Sequence, residues 1–412
     1  MSDGWVQTTL GAATRIKQGR YLSKEDMAVA QSDVAPIPVH GANGIIGWTN
    51  KVLYPHGVPL VTCRGSNCGM VLWAVGPLWV SNNAMAILPS GDLDLRFIYY
   101  SLLNSPPLEF VSGSAQPQIT MGDLSKKAFL VPPLAEQRAI AATLGALDDK
   151  IELNRKLNAT LEAMARALFR DWFVDFGPTR AKMEGRAPYL SPDLWSLFPD
   201  RLDAEGKPEG WEVFRLGDIA DQHTRAVSPS ENPGELFEHF SLPAFDKGQN
   251  PALDRGATIK SNKTLIPSGA ILLSKLNPEI ARVWLPEAPT GHTQIASTEF
   301  LAYTGKNGVG RGLLFCLFSD DDFRTMLHAM VTGTSKSHQR ISPPDLLRRE
   351  AIVGNAEMFR CFEDAVSPLL DRALANRSES RTLAHTRDLL LPRLMSGEIR
   401  VRDAERLVEE AG

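Results

Sequence analysis

The sequence is poor in cysteine, lacks a long apolar run and has no excess of positive charge. Four cysteines in 412 residues are too few for a disulfide scaffold. The most apolar run, Gly312 to Phe318, is too short to span a bilayer, and no basic-then-apolar leader is visible. The 44 Lys and Arg against 48 Asp and Glu exclude a polycationic binder, although a locally basic groove is still allowed. These features predict a globular, cytoplasmic protein without a membrane segment.

Signatures of enzymes are also missing. The sequence has no G-x-x-x-x-G-K-[ST] phosphate loop, and its Cys and His residues do not have metal-ligand spacing. Asp200, Glu205 and Lys207 imitate the residues with which nucleases bind Mg²⁺ and phosphate. The segment between Asp200 and Glu205 is too short to place these groups on adjacent strands, and Pro, Asp and Gly surround them. We therefore predict a non-catalytic chain without cofactor or metal, with a self-contained Mg-dependent nuclease as an alternative.

An internal repeat is the most informative feature of the chain. Matching motifs recur in the same order in both halves: Gly4-Trp5 and Gly210-Trp211, Leu10-Gly11 and Leu216-Gly217, Gly113-Ser114 and Gly333-Thr334, Ile119 and Ile341, Asp123-Leu124 and Asp345-Leu346. The separation between matched motifs grows along the chain, which indicates inserted loops in the second half. The sequence therefore predicts two similar units with pseudo-two-fold symmetry.

Each half also contains a long heptad pattern. In the first half the seam positions are Ile140, Leu144, Leu147, Ile151, Asn154, Asn158, Leu161, Ala165, Leu168 and Trp172. In the second half they are Phe362, Val366, Leu369, Ala373, Asn376, Ser380, Leu383, Arg387, Leu390 and Leu394. Polar residues interrupt both seams at matching places, which favours two helices that pair with each other. Pro368 should break or kink the second helix near its start.

The remaining regions contain short β-prone runs broken by Gly, Pro and Asn turns, which predicts two mixed α+β globules. The predicted organisation is a first globule (1–131), a central helix (132–177), a linker (178–206), a second globule (207–350), a C-terminal helix (351–395) and a tail (396–412). The globules agree at their edges and diverge inside, which suggests related tasks with different targets.

Several motifs resemble one family, the specificity subunits of type I DNA restriction-modification systems. In chain order they are Gly113 to Ile119, Pro132 to Arg138, Leu168 to Phe176, Lys182 to Gly185, the restarted Gly210-Trp211, and Leu389 to Glu398. Each motif is weak alone, but their order is specific. Ala356-Glu357 departs from the pattern, because a second P-L-x-E-Q is expected there.

The resemblance implies two target-recognition domains held apart by two antiparallel coiled-coil helices. Each domain would read one half of a bipartite site in double-stranded DNA. Two methyltransferase (modification) subunits and two ATP-dependent motor and nuclease subunits would supply the chemistry. The alternative outside the enzyme class is a coiled-coil adaptor whose globules bind proteins.

Candidate DNA-contacting residues are polar side chains in turns, since Arg and Lys read guanine and Asn and Gln read adenine. In the first half they are Arg64, Asn67, Asn82, Asn83, Gln116 and Gln118; in the second half they are Lys275, Asn277, Lys336, His338, Gln339 and Arg340. Leu153, Leu157 and Met164 form a second apolar strip beside the seam of the central helix. This strip would contact either the chain's own globules or a modification subunit.

Overall fold

A computed structural model of the chain describes residues 4–331, 339–404 and 406. The chain divides into two compact units, one formed by the residues up to Asn154 and from Ser378 onward, the other by Arg155 to Arg377. Two long helices are each divided between the units. Each unit therefore combines a globule with one part of each helix.

The first unit is built from two sheets and a small two-stranded ribbon. Its strands are β1 (Val6–Thr9), β2 (Thr14–Gln18), β3 (Ile37–Gly41), β4 (Gly44–Thr49), β5 (Val58–Thr62), β6 (Val71–Ala74), β7 (Trp79–Val80), β8 (Ala84–Pro89) and β9 (Ala128–Val131). Its helices are α1 (Leu10–Ala13), α2 (Leu95–Asn104), α3 (Met121–Leu124) and the long α4 (Leu134–Phe169), which continues into the second unit.

The second unit has more elements. Its strands are β10 (Glu212–Arg215), β11 (Ala220–His223), β12 (Ala226–Val227), β13 (Leu236–Phe240), β14 (Ala252–Arg255), β15 (Lys263–Leu265), β16 (Ile271–Ser274), β17 (Val283–Trp284), β18 (Thr293–Ala296), β19 (Phe300–Gly305) and β20 (Glu350–Gly354). Its helices are α5 (Gly177–Met183), α6 (Pro192–Leu197), α7 (Leu216–Ile219), α8 (Leu242–Asp246), α9 (Arg311–Ser319), α10 (Asp321–Ala329), α11 (Pro343–Leu347) and the long α12 (Ala356–Met395), which continues into the first unit.

The two units share one topology. The sheet β2-β8-β5-β6 of the first unit corresponds to β11-β19-β16-β17 of the second, and the ribbon β1-β9 corresponds to β10-β20. In the other sheet, β3 pairs antiparallel with β4 and parallel with β7, as β13 does with β14 and β18. The second unit adds β12 and β15 to this sheet. The predicted internal repeat, with inserted segments in the second half, is therefore confirmed.

An ion pair that fastens a globule to a long helix is also duplicated. At the start of α2, Arg96 makes two hydrogen bonds of 2.9 and 2.7 Å to the carboxylate of Asp149 on α4. At the start of α9, Arg311 bonds to Asp371 on α12. Each pair joins the first turn of a sheet-packing helix to a long helix, so each fixes the rotation of one globule about that helix.

The long helices run antiparallel, since partner numbers fall along α12 as they rise along α4. In the first unit, Asp148 of α4 pairs with Arg387 at 2.6 Å. In the second unit, the rings of Phe169 and Phe362 lie 6.0 Å apart. Seam residues such as Ile140, Leu144 and Ala165 on α4 and Val366 and Leu390 on α12 are buried. The predicted pairing of two long helices is confirmed.

Polar residues interrupt this apolar seam near its middle; we call Asn154, Asn158, Asn376 and Ser380 the polar seam residues. In the first unit, Asn154 donates to Ser380 Oγ at 3.3 Å and to Glu379 at 2.8 Å. In the second unit, Asn376 Nδ2 donates to Asn158 Oδ1 at 2.8 Å. Asn154 and Asn376 are 1% exposed, so these hydrogen bonds replace water that the amides lose on folding.

A buried carboxylate organises the second unit. Glu238 of β13 is 6% exposed and accepts hydrogen bonds from the Thr290 backbone at 2.7 Å and from Gln294 Nε2 at 2.7 Å. Burial raises the pKa of Glu238, but the hydrogen bonds from Thr290 and Gln294 outweigh burial and leave that pKa lowered. The carboxylate is therefore charged, and in this form it holds the loop before β18.

One expectation from the sequence was wrong. Pro368 does not break the second helix, because α12 runs unbroken from Ala356 to Met395. The ring of Pro368 lies on the exposed side, while Val366 and Leu370 on either side of it are buried in the core, and this packing outweighs one missing hydrogen bond.

The segment 178–206, predicted as a linker, contains short helices and contributes a buried side chain to the core of the second unit. It contains most of α5 and all of α6, and Phe198 is buried with its ring 5.3 Å from that of Trp172 and 6.0 Å from that of Trp211. Its apolar residues give this segment a place in the core of the second unit, despite its Pro, Asp and Gly content.

Candidate nucleic-acid interface

In the first unit, the turn after β5 pairs with the segment that precedes α3. The amide of Gly65 donates to the carbonyl of Pro117 at 3.0 Å, and that of Ile119 donates to Cys63 at 3.1 Å. Gly65 has a φ of +87°, a conformation that glycine adopts without steric cost. We call residues 63–67 with 116–119 the first loop pair.

The first loop pair brings together the residues that the sequence suggested. Arg64, Asn67, Gln116 and Gln118 are exposed on it. The Cys63 amide donates to the Asn83 carbonyl at 2.9 Å, so the partly exposed Asn82-Asn83 turn joins the same surface. Six polar side chains from three separate segments therefore converge, as expected for a surface that reads base edges.

The second unit repeats this arrangement. The amide of Asn277 donates to Gln339 at 3.0 Å, and that of Ile341 donates to Lys275 at 3.1 Å. Asn277 takes the position of Gly65 and also has a left-handed backbone, with a φ of 49°. We call residues 275–277 with 339–341 the second loop pair. Lys336 and His338, also predicted to contact DNA, lie outside the described residues.

The two loop pairs share a backbone but not side chains. The bridge between Arg64 and Gln118 in the first unit corresponds to the bridge between Leu276 and Arg340 in the second. Glu299 stands where the first unit has Asn83, because its carbonyl accepts from the Lys275 amide at 2.9 Å. The surface of the first unit is thus rich in amides, whereas the corresponding surface of the second unit carries charged side chains.

The charged surface has an internal ion pair. Arg340 donates to the Glu299 carboxylate from Nε at 3.1 Å and from Nη2 at 3.0 Å. Hydrogen bonds and the charge of Glu299 raise the pKa of Arg340, which stays cationic at any physiological pH. The bidentate geometry orients the guanidinium plane at the surface of the second loop pair.

Sequence reasoning missed three residues at these surfaces, namely Gln18, Asn43 and Glu299. Gln18 donates from Nε2 to the Asn82 carbonyl at 2.5 Å and to Cys63 Sγ at 3.2 Å, and Asn67 Nδ2 donates to Asn43 Oδ1 at 2.9 Å. Glu299 is the third. The Asn43-Gly44 dipeptide is a hairpin signal, but nothing in the sequence indicates that this hairpin meets the turn at Asn67.

The apolar strip on α4 is exposed. Leu153 is 58% exposed, Leu157 36% and Met164 49%. These side chains therefore lie on a solvent-facing side of the helix, where they do not contribute to a core. Such a strip on a helix that already has a buried seam is typical of a docking surface.

The nuclease-like residues do not form a metal site. Lys207 pairs with Glu205 at 2.8 Å and with Asp203, while Asp200 pairs with Lys182 at 3.0 Å. Within the part of the chain that the structure describes, no three His, Cys, Asp or Glu side chains are grouped to hold a metal ion. Over the same residues, no helix has the length and apolar character to cross a membrane.

Two units of one topology, each with a polar loop pair, define an internally duplicated recognition subunit. Residues 2–163 match the family model of the type I restriction modification DNA specificity domain. Over this region the chain is similar to the specificity subunits of type I restriction-modification systems, the family that its motifs resemble.

Relatives extend this similarity beyond the first unit. The MjaIX specificity subunit of Methanocaldococcus jannaschii is 26% identical over 370 residues, which cover 85% of this chain and 79% of the relative. The HindI specificity subunit of Haemophilus influenzae is 25% identical over 377 residues, covering 78% and 81%. The crystal structure of a type I S subunit from M. genitalium has the same fold, with a TM-score of 0.59, 18% identity and coverage of 96% and 97%.

Proposed function

We propose that each unit reads one half of a bipartite site in double-stranded DNA through its loop pair. The observation that carries this proposal is the repeated backbone with different side chains at matched positions, such as Gln118 and Arg340. A common scaffold holds each reading surface in the same way, while the changed side chains give each half its own sequence preference.

The side chains suit base reading in the major groove. Arg64 and Arg340 have the donor pattern that pairs with guanine, as does Lys275 as a point charge. Asn67, Gln116 and Gln118 carry amides, which pair with adenine through one donor and one acceptor. We include Asn82, Asn83, Asn277, Gln339, Lys336 and His338 in the same interface as neighbours in chain position.

The paired helices would set the unread gap between the half-sites. With 36 and 40 residues, α4 and α12 are about 54 and 60 Å long at 1.5 Å per residue. One turn of DNA is about 34–36 Å, so each helix matches between one and two turns. Buried polar residues in the seam fix the register of the pair, which a ruler of constant length needs.

The chain itself would be non-catalytic and would direct partner subunits. We propose that two methyltransferase subunits dock on the chain and that two ATP-dependent motor subunits join them. The exposed strip of Leu153, Leu157 and Met164 supports a helical docking surface. The names of the relatives, which are specificity subunits of restriction enzymes, support a multi-subunit complex.

A charge reversal tests the docking surface. Leu157→Asp with Met164→Asp should abolish co-purification of the methyltransferase subunit, because a bundle core would have to bury two carboxylates. Leu253→Asp with Ile280→Asp changes two similarly exposed apolar residues away from the long helices, and this variant should bind normally. Normal co-purification of a folded Leu157 and Met164 variant would contradict the docking proposal.

A single substitution tests the reading function. Gln118→Ala, assayed in the assembled complex by mapping methylated adenines, should relax one position of one half-site, because a bidentate base contact is worth about 1–3 kcal/mol. Gln7→Ala removes another exposed glutamine of the first unit, outside the loop pair, and should leave the methylated sequence unchanged. Relaxation in both half-sites, or in neither, would contradict the assignment of one half-site to each unit.

A further inference from the structure

The hairpin of β3 and β4 has a narrow tip with exposed apolar side chains. Only Ala42 and Asn43 separate the two strands, and Gly44 follows with a φ of +84°. Ile45 is 50% exposed and Ile46 42%, although both are β-branched residues of a strand. The tip therefore presents apolar surface to solvent in a unit that has its own complete core.

The tip belongs to the reading surface of the first unit. Asn67 of the first loop pair donates from Nδ2 to Asn43 Oδ1 at 2.9 Å, and both residues are exposed. One amide thus orients the other, and the exposed isoleucines follow Asn43 by two and three positions. Polar and apolar contact groups are placed side by side on one ribbon.

The corresponding hairpin of the second unit is built differently. Residues 241–251 connect β13 to β14 and include α8. This connection is packed down, since the ring of Phe245 lies 5.5 Å from that of Trp284 and Arg282 pairs with Asp246 at 2.8 Å. The narrow tip is thus found in the first unit and not in the described residues of the second. It is a further difference between the two reading surfaces.

The two isoleucines have different surroundings. Ile46 lies against Gly41, where an added Cβ would approach Ile46 Cδ1 to 2.8 Å. The pairing has a β-bulge here, with Ile46 as the extra residue between the paired Ile45 and Gly47, so strand alternation does not assign the two isoleucines to opposite faces. Ile45 is also the more exposed of the two, which makes it the apolar group available for an intermolecular contact.

We propose that this hairpin tip enters the major groove and contacts one A·T base pair, Asn43 at the adenine and Ile45 at the thymine methyl group. A two-stranded ribbon fits the major groove, an amide matches the N6 and N7 atoms of adenine, and apolar side chains contact the thymine methyl. The inference rests on the proposed reading of DNA by the first unit and adds the base pair and the chemistry of the contact.

Removing the thymine methyl tests the contact directly. Once methylation mapping has given the target, each thymine of the first unit's half-site is replaced by deoxyuridine in turn, and binding of the assembled complex is measured. One replacement should weaken binding roughly fourfold, the effect expected for one buried methyl group. The complex with Ile45→Ala should bind the thymine and deoxyuridine duplexes equally at that position.

Matched controls separate this inference from the proposed function. Leu253→Ala changes a similarly exposed residue of β14 and should keep the fourfold penalty. If no thymine of that half-site shows a penalty that depends on Ile45, the inference is overturned. If the unaltered complex does not prefer its mapped target over a scrambled duplex, the proposed function fails, and the inference fails with it.

Discussion

Replacing the buried amide of Asn376 by leucine should destabilise the helix pair of the second unit by about 1–3 kcal/mol. Its Nδ2 donates to Asn158 Oδ1 at 2.8 Å, and the two residues are 1% and 8% exposed. Asn376→Leu leaves the amide of Asn158 in an apolar seam without this partner, and an unsatisfied buried polar group costs about that amount.

The double variant Asn158→Leu with Asn376→Leu should behave differently from the sum of the singles. Removing both partners of a buried hydrogen bond can be nearly neutral, because no amide is left unsatisfied. The expected coupling between the two substitutions is therefore about 1–3 kcal/mol in favour of the double variant. The double variant should, however, fix the register of the helix pair less strictly, since an all-apolar seam permits the helices to shift.

Hydrogen exchange measured by mass spectrometry on the full chain gives the local readout. Peptides from residues 356–377 should exchange about 5- to 150-fold faster in Asn376→Leu and close to the original rate in the double variant. Thr160→Leu, on the exposed surface of α4, serves as control and should change exchange little. Additive effects, or a neutral Asn376→Leu, would refute the view that this pair is a desolvated polar contact.

Two further predictions concern the ruler and the second unit. One heptad inserted between Asn154 and Asn158, with another between Asn376 and Ser380, should lengthen the unread gap by about three base pairs, since seven residues add about 10 Å. Methylation mapping checks this, and an unchanged gap would show that another element sets the distance. Glu238→Gln should lower the stability of the second unit at neutral pH by about 1.5–3 kcal/mol, because the hydrogen bonds to a charged acceptor are weakened. The lowered pKa of Glu238 means that its contribution is present above the unfolded pKa and is lost as the pH falls through the folded value, so the variant should lose this part of the acid sensitivity in denaturation curves.

The repeat, the paired helices and the polar turns could be predicted because they depend on local pattern. Heptad spacing and matched motifs are read directly from the sequence, and an apolar run followed by a polar turn indicates the end of a strand. The helix through Pro368 was not predictable in this way, since the burial of Val366 and Leu370 on both sides of the proline decides it. Asn43 and Glu299 were missed for a related reason. Each contacts a residue that is distant in the sequence, and the propensity of a segment to form a turn does not specify which residues that turn contacts.

The duplicated ion pair has a consequence for how such chains diversify. Arg96 lies in the globule and Asp149 in the long helix, and Arg311 and Asp371 divide in the same way. A genetic crossover near residue 131 would carry a new globule with its own arginine onto an old helix that keeps its aspartate. The incoming globule is then oriented by the same two-bond clamp as the one it replaced. Recombination can therefore join a different recognition globule to an existing helix whose carboxylate is already placed for the incoming arginine.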